Sequence, residues 1–138
     1  MRHRVAGRKL NRNTAHRKAL ARNLIRGLIQ EFDNKGFIVT TREKAKFCQP
    51  KAEKLITMAR TKNVHNVRRA MALLQDRELV SKLFDDIGPY YAGRPGGYTR
   101  VIRLSSTRLG DNASKAYLGF VREEAEVAAA PAEDSEES

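Results

Sequence analysis

The side chains with the clearest chemical capacity are the bases concentrated at the start of the chain. Every charged side chain from Met1 to Gln30 is basic, and the first acid is Glu31. Arginine offers a planar set of five donors that binds phosphate oxygens and can stack on unpaired bases. Neighbouring histidines and asparagines suit phosphates, base edges and ribose hydroxyls. The candidate contacts to a polyanion are Arg2, His3, Arg4, Arg8, Lys9, Asn11, Arg12, Asn13, His16, Arg17, Lys18, Arg22 and Arg26.

A glycine-rich stretch, residues 92–97, is the second candidate. Glycines allow a sugar-phosphate backbone to approach main-chain N–H groups closely, and the arginines that flank the stretch supply charge. Two interpretations of its tyrosine are open, since the ring could stack on a base or pack into the core. The glycine spacing fits neither a dinucleotide fingerprint nor a P-loop. The candidates here and in the later turn are Arg94, Tyr98, Thr99, Arg100 and Arg108.

Residue patterns typical of enzymes are missing from the sequence. His3, His16 and His65 are not spaced as metal ligands, and arginines beside the first two disfavour a bound cation. Cys48 has no neighbouring base to activate it and is expected to be a half-buried residue of a helix. We therefore expect no catalysis, cofactor, metal or small-molecule substrate.

The charge distribution indicates a polyanionic partner more strongly than the overall composition does. The chain has 27 Lys and Arg against 16 Asp and Glu, a net charge of +11. Seven of the acids lie beyond Arg122, so residues 1–122 carry 27 bases against nine acids, or +18. A length of 138 residues suits one domain, and a single cysteine suits a reducing cytosol. No apolar stretch is long enough to span a membrane, which predicts a cytoplasmic protein.

The elements that position the N-terminal bases are an arm and a helix. Residues 1–13 contain little that could be buried, and we expect a mobile basic arm that becomes ordered on its partner. From Thr14, apolar and basic side chains each recur at every fourth position, which predicts an amphipathic helix with a basic flank. Either Asn13 or Thr14 could cap it. The recurring residues are Leu20, Leu24 and Leu28, and Lys18, Arg22 and Arg26.

A strand and a second helix are expected next. Residues 37–41 are aromatic or β-branched and follow a turn, which predicts a short strand. Thr40 and Glu43 have the spacing of a capping box for a helix that extends to about Arg60. Pro50 lies inside that helix and should kink it or divide it in two.

Two more helices and two strands complete the expected fold. A third helix is predicted for residues 64–74, and a fourth for residues 77–86, capped by Asp76 and ended by Gly88-Pro89. Strands are predicted at 98–104 and 116–121, separated by a turn. The order α-β-α-α-α-β-β predicts an α+β fold, a single two-layer α/β domain over residues 14–122 in which helices cover a small mixed sheet. Residues 123–138 should form a disordered acidic tail.

Several short motifs resemble the seventeenth protein of the bacterial large ribosomal subunit. They include residues 1–4, 10–13 and 22–23, then 44–46, 55–57, 96–100 and 110–113. The resemblance covers residues 1 to about 121. It implies a two-layer α/β domain that binds large-subunit ribosomal RNA near the outer end of the nascent-peptide exit tunnel, beside other ribosomal proteins. Pro50 and the acidic tail depart from the family pattern.

Two other classes of protein are the alternatives. A DNA-binding regulator or nucleoid protein would also be basic, but no compact helix-turn-helix pair is evident and the charge lies in an arm and a loop. An RNA-modifying enzyme would need a cofactor motif, and the sequence has none that we recognise.

Overall fold

The computed structural model describes residues 1–122 and confirms the α+β class and the predicted order of elements. The expectation for the acidic tail concerns residues 123–138, which lie outside the described residues. The main elements are α1 (Thr14–Gln30), β1 (Phe37–Thr41), α2 (Arg42–Ala59), α3 (Val64–Leu74), α4 (Arg77–Lys82), β2 (Thr99–Thr107) and β3 (Ser114–Phe120).

The three strands of residues 1–122 form one sheet in the order β1-β3-β2, and both pairings are antiparallel. The sheet is therefore antiparallel throughout, and the expected mixed sheet was wrong on this point. The short turn between β2 and β3 allows them to pair only as an antiparallel hairpin. β1 then adds to the other edge of β3, where Ile38 lies opposite Leu118.

The helices pack on one face of the sheet and form a continuous core with it. α2 lies at the centre of this core. The buried residues of α2 recur every three or four positions, so they all lie along one side of the helix. Burial of a leucine or isoleucine side chain of this kind contributes about 1.5–3 kcal/mol. The buried residues of α2 are Ala45, Cys48, Ala52, Leu55, Ile56 and Ala59.

Side-chain caps begin three of the helices. The Asn13 carboxamide oxygen accepts a hydrogen bond from the His16 N–H at 2.8 Å, so Asn13 rather than Thr14 caps α1. Asp76 accepts from the N–H groups of Glu78 and Leu79, which confirms its predicted role. Asn63 caps α3 in the same way.

The capping box predicted for α2 was wrong. Thr41, one residue later than expected, precedes the first turn, and within the described chain its side chain makes no capping hydrogen bond. Glu43 instead accepts two hydrogen bonds from the Arg42 guanidinium, at 2.6 and 2.9 Å. The competing arginine, adjacent in the chain, accounts for the difference. α2 also continues undivided through Pro50.

The end of the fourth helix differs from the prediction as well. α4 ends at Lys82, and a π-helical turn, Leu83–Ile87, leads into a short helix α5, Gly88–Tyr90. Gly88-Pro89 thus continues a helical path, since proline is tolerated in a first turn, where its missing N–H costs no bond. A Cβ atom on Gly88 would overlap the carbonyl oxygen of Ala59, so glycine allows this turn to lie against the end of α2.

Candidate nucleic-acid interface

The N-terminal arm, residues 1–13, extends over the surface with most of its side chains exposed. Arg8 approaches Glu43 at 3.9 Å, which places the arm beside the first turn of α2. The hydrogen bond from Arg42, with a smaller contribution from Arg8, holds the pKa of Glu43 below its usual value. The exposed candidate residues of the arm are Arg2, His3, Arg4, Arg8, Lys9, Asn11 and Asn13.

The junction between arm and α1 is ordered by arginine contacts to the backbone. Arg12 donates to the carbonyl oxygen of Leu10 at 2.8 Å, and Arg17 donates to the carbonyl oxygen of Arg12 at 2.5 Å. The Nε of Arg12 also lies 3.4 Å from the His16 ring nitrogen. These contacts fix the direction in which the arm leaves the helix.

Two later arginines of α1 connect it to its neighbours. Arg22 donates to the carbonyl oxygen of Leu73 at 2.9 Å, at the end of α3. Arg26 forms a 3.0 Å ion pair with Asp76, the capping residue of α4. The bonds from the Leu79 N–H and from Arg26 lower the pKa of Asp76. Part of the predicted basic flank of α1 therefore contributes to helix packing as well as to surface charge.

A first groove, the arm groove, lies between the arm, α1 and α2. Its volume is about 890 Å³, and Val5, Phe47 and Pro50 supply its apolar surface. The Lys51 ammonium lies 4.0 Å from the centre of the Phe47 ring, a cation–π contact. The bases that line the arm groove are Arg8, Lys9, Arg17, Lys46, Lys51 and Lys54.

A second groove, the three-helix groove, lies between α1, α2 and α3 and has a volume of about 570 Å³. Lys51 and Lys54 line both grooves, so the two are adjacent. Within residues 1–122, no acidic side chain lines either groove. We call their shared basic surface the cationic face. It comprises Arg8, Lys9, Arg17, Lys18, Arg22, Lys46, Lys51, Lys54 and Arg69.

The sequence patterns did not predict four residues of the cationic face, which are Lys46, Lys51, Lys54 and Arg69. In the sequence Glu53 lies between Lys51 and Lys54, so α2 looks like an ordinary charged helix. The signal that could have found them is the helical position, because Lys51 and Lys54 are three residues apart and share one side of α2. Only the packing of α1 beside α2 combines them with Lys18 and Arg22.

The glycine-rich loop does not present its tyrosine to solvent. Tyr98 is fully buried, with 0% exposure, and its hydroxyl accepts hydrogen bonds from Thr57 at 3.2 Å and Arg60 at 3.3 Å. The Glu53 carboxylate accepts from the N–H groups of Tyr98 and Thr99, and from the Thr99 hydroxyl at 2.6 Å. Both side chains are buried, which favours the interpretation in which Tyr98 packs into the core over the one in which its ring stacks on a base.

The arginines around the loop lie at the surface. Arg94 is exposed and donates to the carbonyl oxygen of Gly96 at 3.1 Å. Arg100 is exposed on the outer face of the sheet, opposite Gly119 of β3. Arg108 pairs with Asp111 in the turn between β2 and β3, and this bond lowers the pKa of Asp111 to about 2. Arg94 and Arg100 remain candidates for phosphate contact, whereas Arg108 has a partner of its own.

Other chemistry receives little support from the described residues. No group of three or more histidine, cysteine or acidic side chains within residues 1–122 could hold a metal ion. Burial raises the pKa of the Cys48 thiol to about 12, so the thiol is an unreactive core group. In the same part of the chain, no helix is both long and apolar enough to cross a bilayer.

The fold and the site together define a class: a small α+β domain whose cationic face, as formed by residues 1–122, contains no acidic side chain. Residues 20–121 match the family model of ribosomal protein L17. The large ribosomal subunit protein bL17 of Acidobacterium capsulatum is 46% identical over 127 residues, which are 92% of this chain and 76% of that protein. The chain therefore belongs to the L17 family of ribosomal proteins. It is a structural constituent of the ribosome in the cytoplasm, and the resemblance noted in the sequence is confirmed.

Proposed function

We propose that the chain binds large-subunit ribosomal RNA directly, through its arm and cationic face, and stabilises the fold of that RNA. The observation that supports this most strongly is the pair of adjacent grooves in which every charged lining residue, within residues 1–122, is basic. Clustered Lys and Arg neutralise phosphates and release counterions, which is the main source of affinity for nucleic acid. A surface without acids avoids the repulsion that a mixed charge pattern would impose.

The shape of the cationic face suits irregular RNA better than duplex DNA. The face is a pair of grooves next to an arm, whereas readers of duplex DNA place one helix in the major groove. The nearest approach to such a pair is α3 and α4, which meet at Gln75. α4 begins with the acid Glu78 in its first turn, and the exposed acids Asp85 and Asp86 follow it. Asp85 pairs with Lys62 at 2.5 Å, and the remaining acids interrupt the positive charge at this surface, unlike the charge of the cationic face.

The position and partners that we propose follow from the family. The L17 family implies a place near the outer end of the nascent-peptide exit tunnel, next to other ribosomal proteins. We propose this position for the chain, together with a role that includes no catalysis, cofactor or small-molecule substrate. The name of the Acidobacterium relative places that relative in the large subunit.

The experiment that tests the function compares two nucleic acids at matched salt. The full chain is titrated with large-subunit ribosomal RNA and with duplex DNA, and each affinity is measured at several salt concentrations. We expect a clearly tighter complex with the RNA and a steep salt dependence for both. Equal affinities for RNA and DNA would reject specific RNA binding and favour a general nucleic-acid-binding protein.

A further inference from the structure

The three-helix groove combines a basic rim with an apolar interior. The rim contains Lys18, Arg22, Lys51, Lys54 and Arg69, from three different helices. Between them lie apolar side chains from the same helices, and the groove volume of about 570 Å³ is within the usual range for small-ligand sites, roughly 300–1,000 Å³. The apolar lining residues are Ala21, Ile25, Leu55, Met58, Ala72, Leu73 and Leu74.

Three of the apolar residues are accessible from solvent, and one of them is Ala72, which is exposed on α3. Leu73 is 55% exposed and forms one wall of the groove. Met58 is half-buried on the opposite helix, α2. Ile25 and Leu55 are 5% and 4% exposed and close the bottom. A ligand in the groove would therefore meet apolar surface below and cations above.

We propose that the three-helix groove receives one unstacked nucleobase of the bound RNA, while the lysine and arginine side chains of the rim contact the phosphates on either side of that nucleotide. This inference rests on the proposed function. An RNA single strand is a polyanion that also carries flat apolar surfaces, so it matches both parts of the groove. Bases of a regular duplex are stacked and unavailable, whereas loops and bulges can extend a base into a protein pocket.

The arm groove is less suited to a base. Its aromatic residue, Phe47, already has the Lys51 ammonium over its ring at 4.0 Å. A base could stack on that face of the ring only by displacing the cation. The arm groove thus suits the sugar-phosphate backbone, and the three-helix groove suits the base.

The first test removes the apolar wall without removing charge. Leu73→Ser should weaken binding of the full chain to a 12-nucleotide oligoadenylate about fivefold, because the variant removes apolar surface that the base would bury. The slope of log affinity against log salt should stay unchanged, because no phosphate contact is lost. Met71→Ser is the matched control, since Met71 is also exposed on α3, at 40%, but does not line the groove.

Inorganic polyphosphate separates a base from a simple anion. The wild-type chain and Leu73→Ser should bind polyphosphate with equal affinity. Lys54→Ala should lower the affinity for both polyphosphate and oligoadenylate, and should reduce the salt slope of oligoadenylate binding by about 0.7. An equal loss of affinity for polyphosphate in Leu73→Ser would show that the variant perturbs the rim, and would overturn the inference. Equal oligoadenylate affinities of Leu73→Ser and Met71→Ser would also overturn the inference.

The methionines provide a direct spectroscopic readout. With ¹³C-methyl methionine, the Met58 methyl resonance should shift upfield when oligoadenylate binds, because a base ring would lie against it. Met71, outside the groove, should move little, and polyphosphate should not reproduce the Met58 shift. An unmoved Met58 methyl in a saturated complex would overturn base insertion while leaving RNA binding intact. Failure to bind either oligoadenylate or ribosomal RNA would instead reject the proposed function itself.

Discussion

The cationic face and the glycine-rich loop differ in where their polar groups make contacts. On the cationic face, Lys51 and Lys54 extend from α2 into solvent beside two grooves. In the loop, the N–H groups of Tyr98 and Thr99 are bound to Glu53, 45 and 46 residues away. The first region is arranged for a partner outside the chain, and the second for the interior of the chain.

The helix α2 takes part in both regions, through different sides. Glu53 faces the loop, and Lys54, the next residue, faces the grooves. Adjacent helix residues point about 100° apart, so one helix can support the sheet and present charge at once. We therefore expect substitutions of Glu53 to change stability and substitutions of Lys54 to change RNA binding, although the two residues are adjacent.

The largest effect should come from removal of the arm. Deletion of residues 1–12, with Asn13 retained as the cap of α1, should weaken binding to large-subunit ribosomal RNA by about 100-fold or more near physiological salt. The arm contributes five bases but almost no buried surface, so thermal melting should stay nearly unchanged. RNA titration and a melting curve on the same variant measure the two effects.

Deletion of residues 1–13 is the matched control, because it also removes the cap. We expect the same loss of RNA affinity with an additional loss of about 1 kcal/mol of stability, the usual cost of an N-cap. Incorporation of the 1–12 deletion into large subunits as efficiently as full-length protein would show that the arm is dispensable. A melting temperature tens of degrees lower would show that the arm belongs to the core.

The opposite result should follow from Glu53→Ala, which acts on the loop side of α2. The variant removes the carboxylate that accepts three hydrogen bonds, and the N–H groups of Tyr98 and Thr99 lose this acceptor. The free energy of unfolding should fall by about 3 kcal/mol. Chemical denaturation gives the stability change, with the exposed Glu78→Ala as the control. Stability equal to that control would mean that the loop is held in place by other contacts.

Arg94→Ala and Arg100→Ala should have smaller effects, confined to RNA binding. Both side chains are exposed, so the melting temperature should change little. Each phosphate contact that is lost should lower the log-log salt slope by about 0.7 to 0.9. A slope that stays at the wild-type value in both variants would place the loop away from the RNA and leave the arm and the cationic face as the interface.

The ion pair between Arg26 and Asp76 should produce a pH-dependent difference in stability. The pKa of Asp76 is lowered in the folded protein, so its contribution is complete above the ordinary aspartate value, about 4. It is lost as the pH falls through the lowered folded value. Asp76→Asn, which keeps a capping oxygen, should melt below wild type at pH 7, and this gap should narrow as the pH falls below 4. A gap independent of pH would exclude the charge as its cause.

Truncation after Arg122 should have the smallest effect. Arg122 donates to the carbonyl oxygen of Phe32, so the cut leaves the last described contact in place. We propose that residues 123–138 are dispensable for folding and assembly, since they carry seven acids and little apolar bulk. Melting and incorporation into large subunits should match full-length protein, and an unfolded or excluded truncation would contradict this.

Local patterns in the sequence predicted most of the fold. The bounds of α3 and β1 agree with the structure, since apolar spacing, β-branched residues and turn residues act within a few positions. The predicted end of α4 does not agree with the structure. The close contact with Ala59, 29 positions earlier in the chain, requires a glycine at position 88, and no local pattern shows that contact. A motif that stops a helix in isolation can continue one when tertiary packing favours it.

The candidate site was only partly predictable for a similar reason. The basic arm is visible as a run of charge, but burial of Tyr98 depends on Glu53, Thr57 and Arg60, about 40 residues away. No local pattern distinguishes a tyrosine that stacks on a base from one that packs in a core. The three-helix groove likewise exists only once α1, α2 and α3 are packed.

Site-specific photocrosslinking in assembled large subunits would show whether the cationic face contacts RNA. A photoreactive amino acid would replace Lys54, which lines both grooves, and Ser81, an exposed residue of α4, would be the control position. We predict that position 54 crosslinks to large-subunit ribosomal RNA and that position 81 does so weakly or not at all. Crosslinks from position 54 to protein alone, with RNA crosslinks from position 81, would contradict the proposed interface.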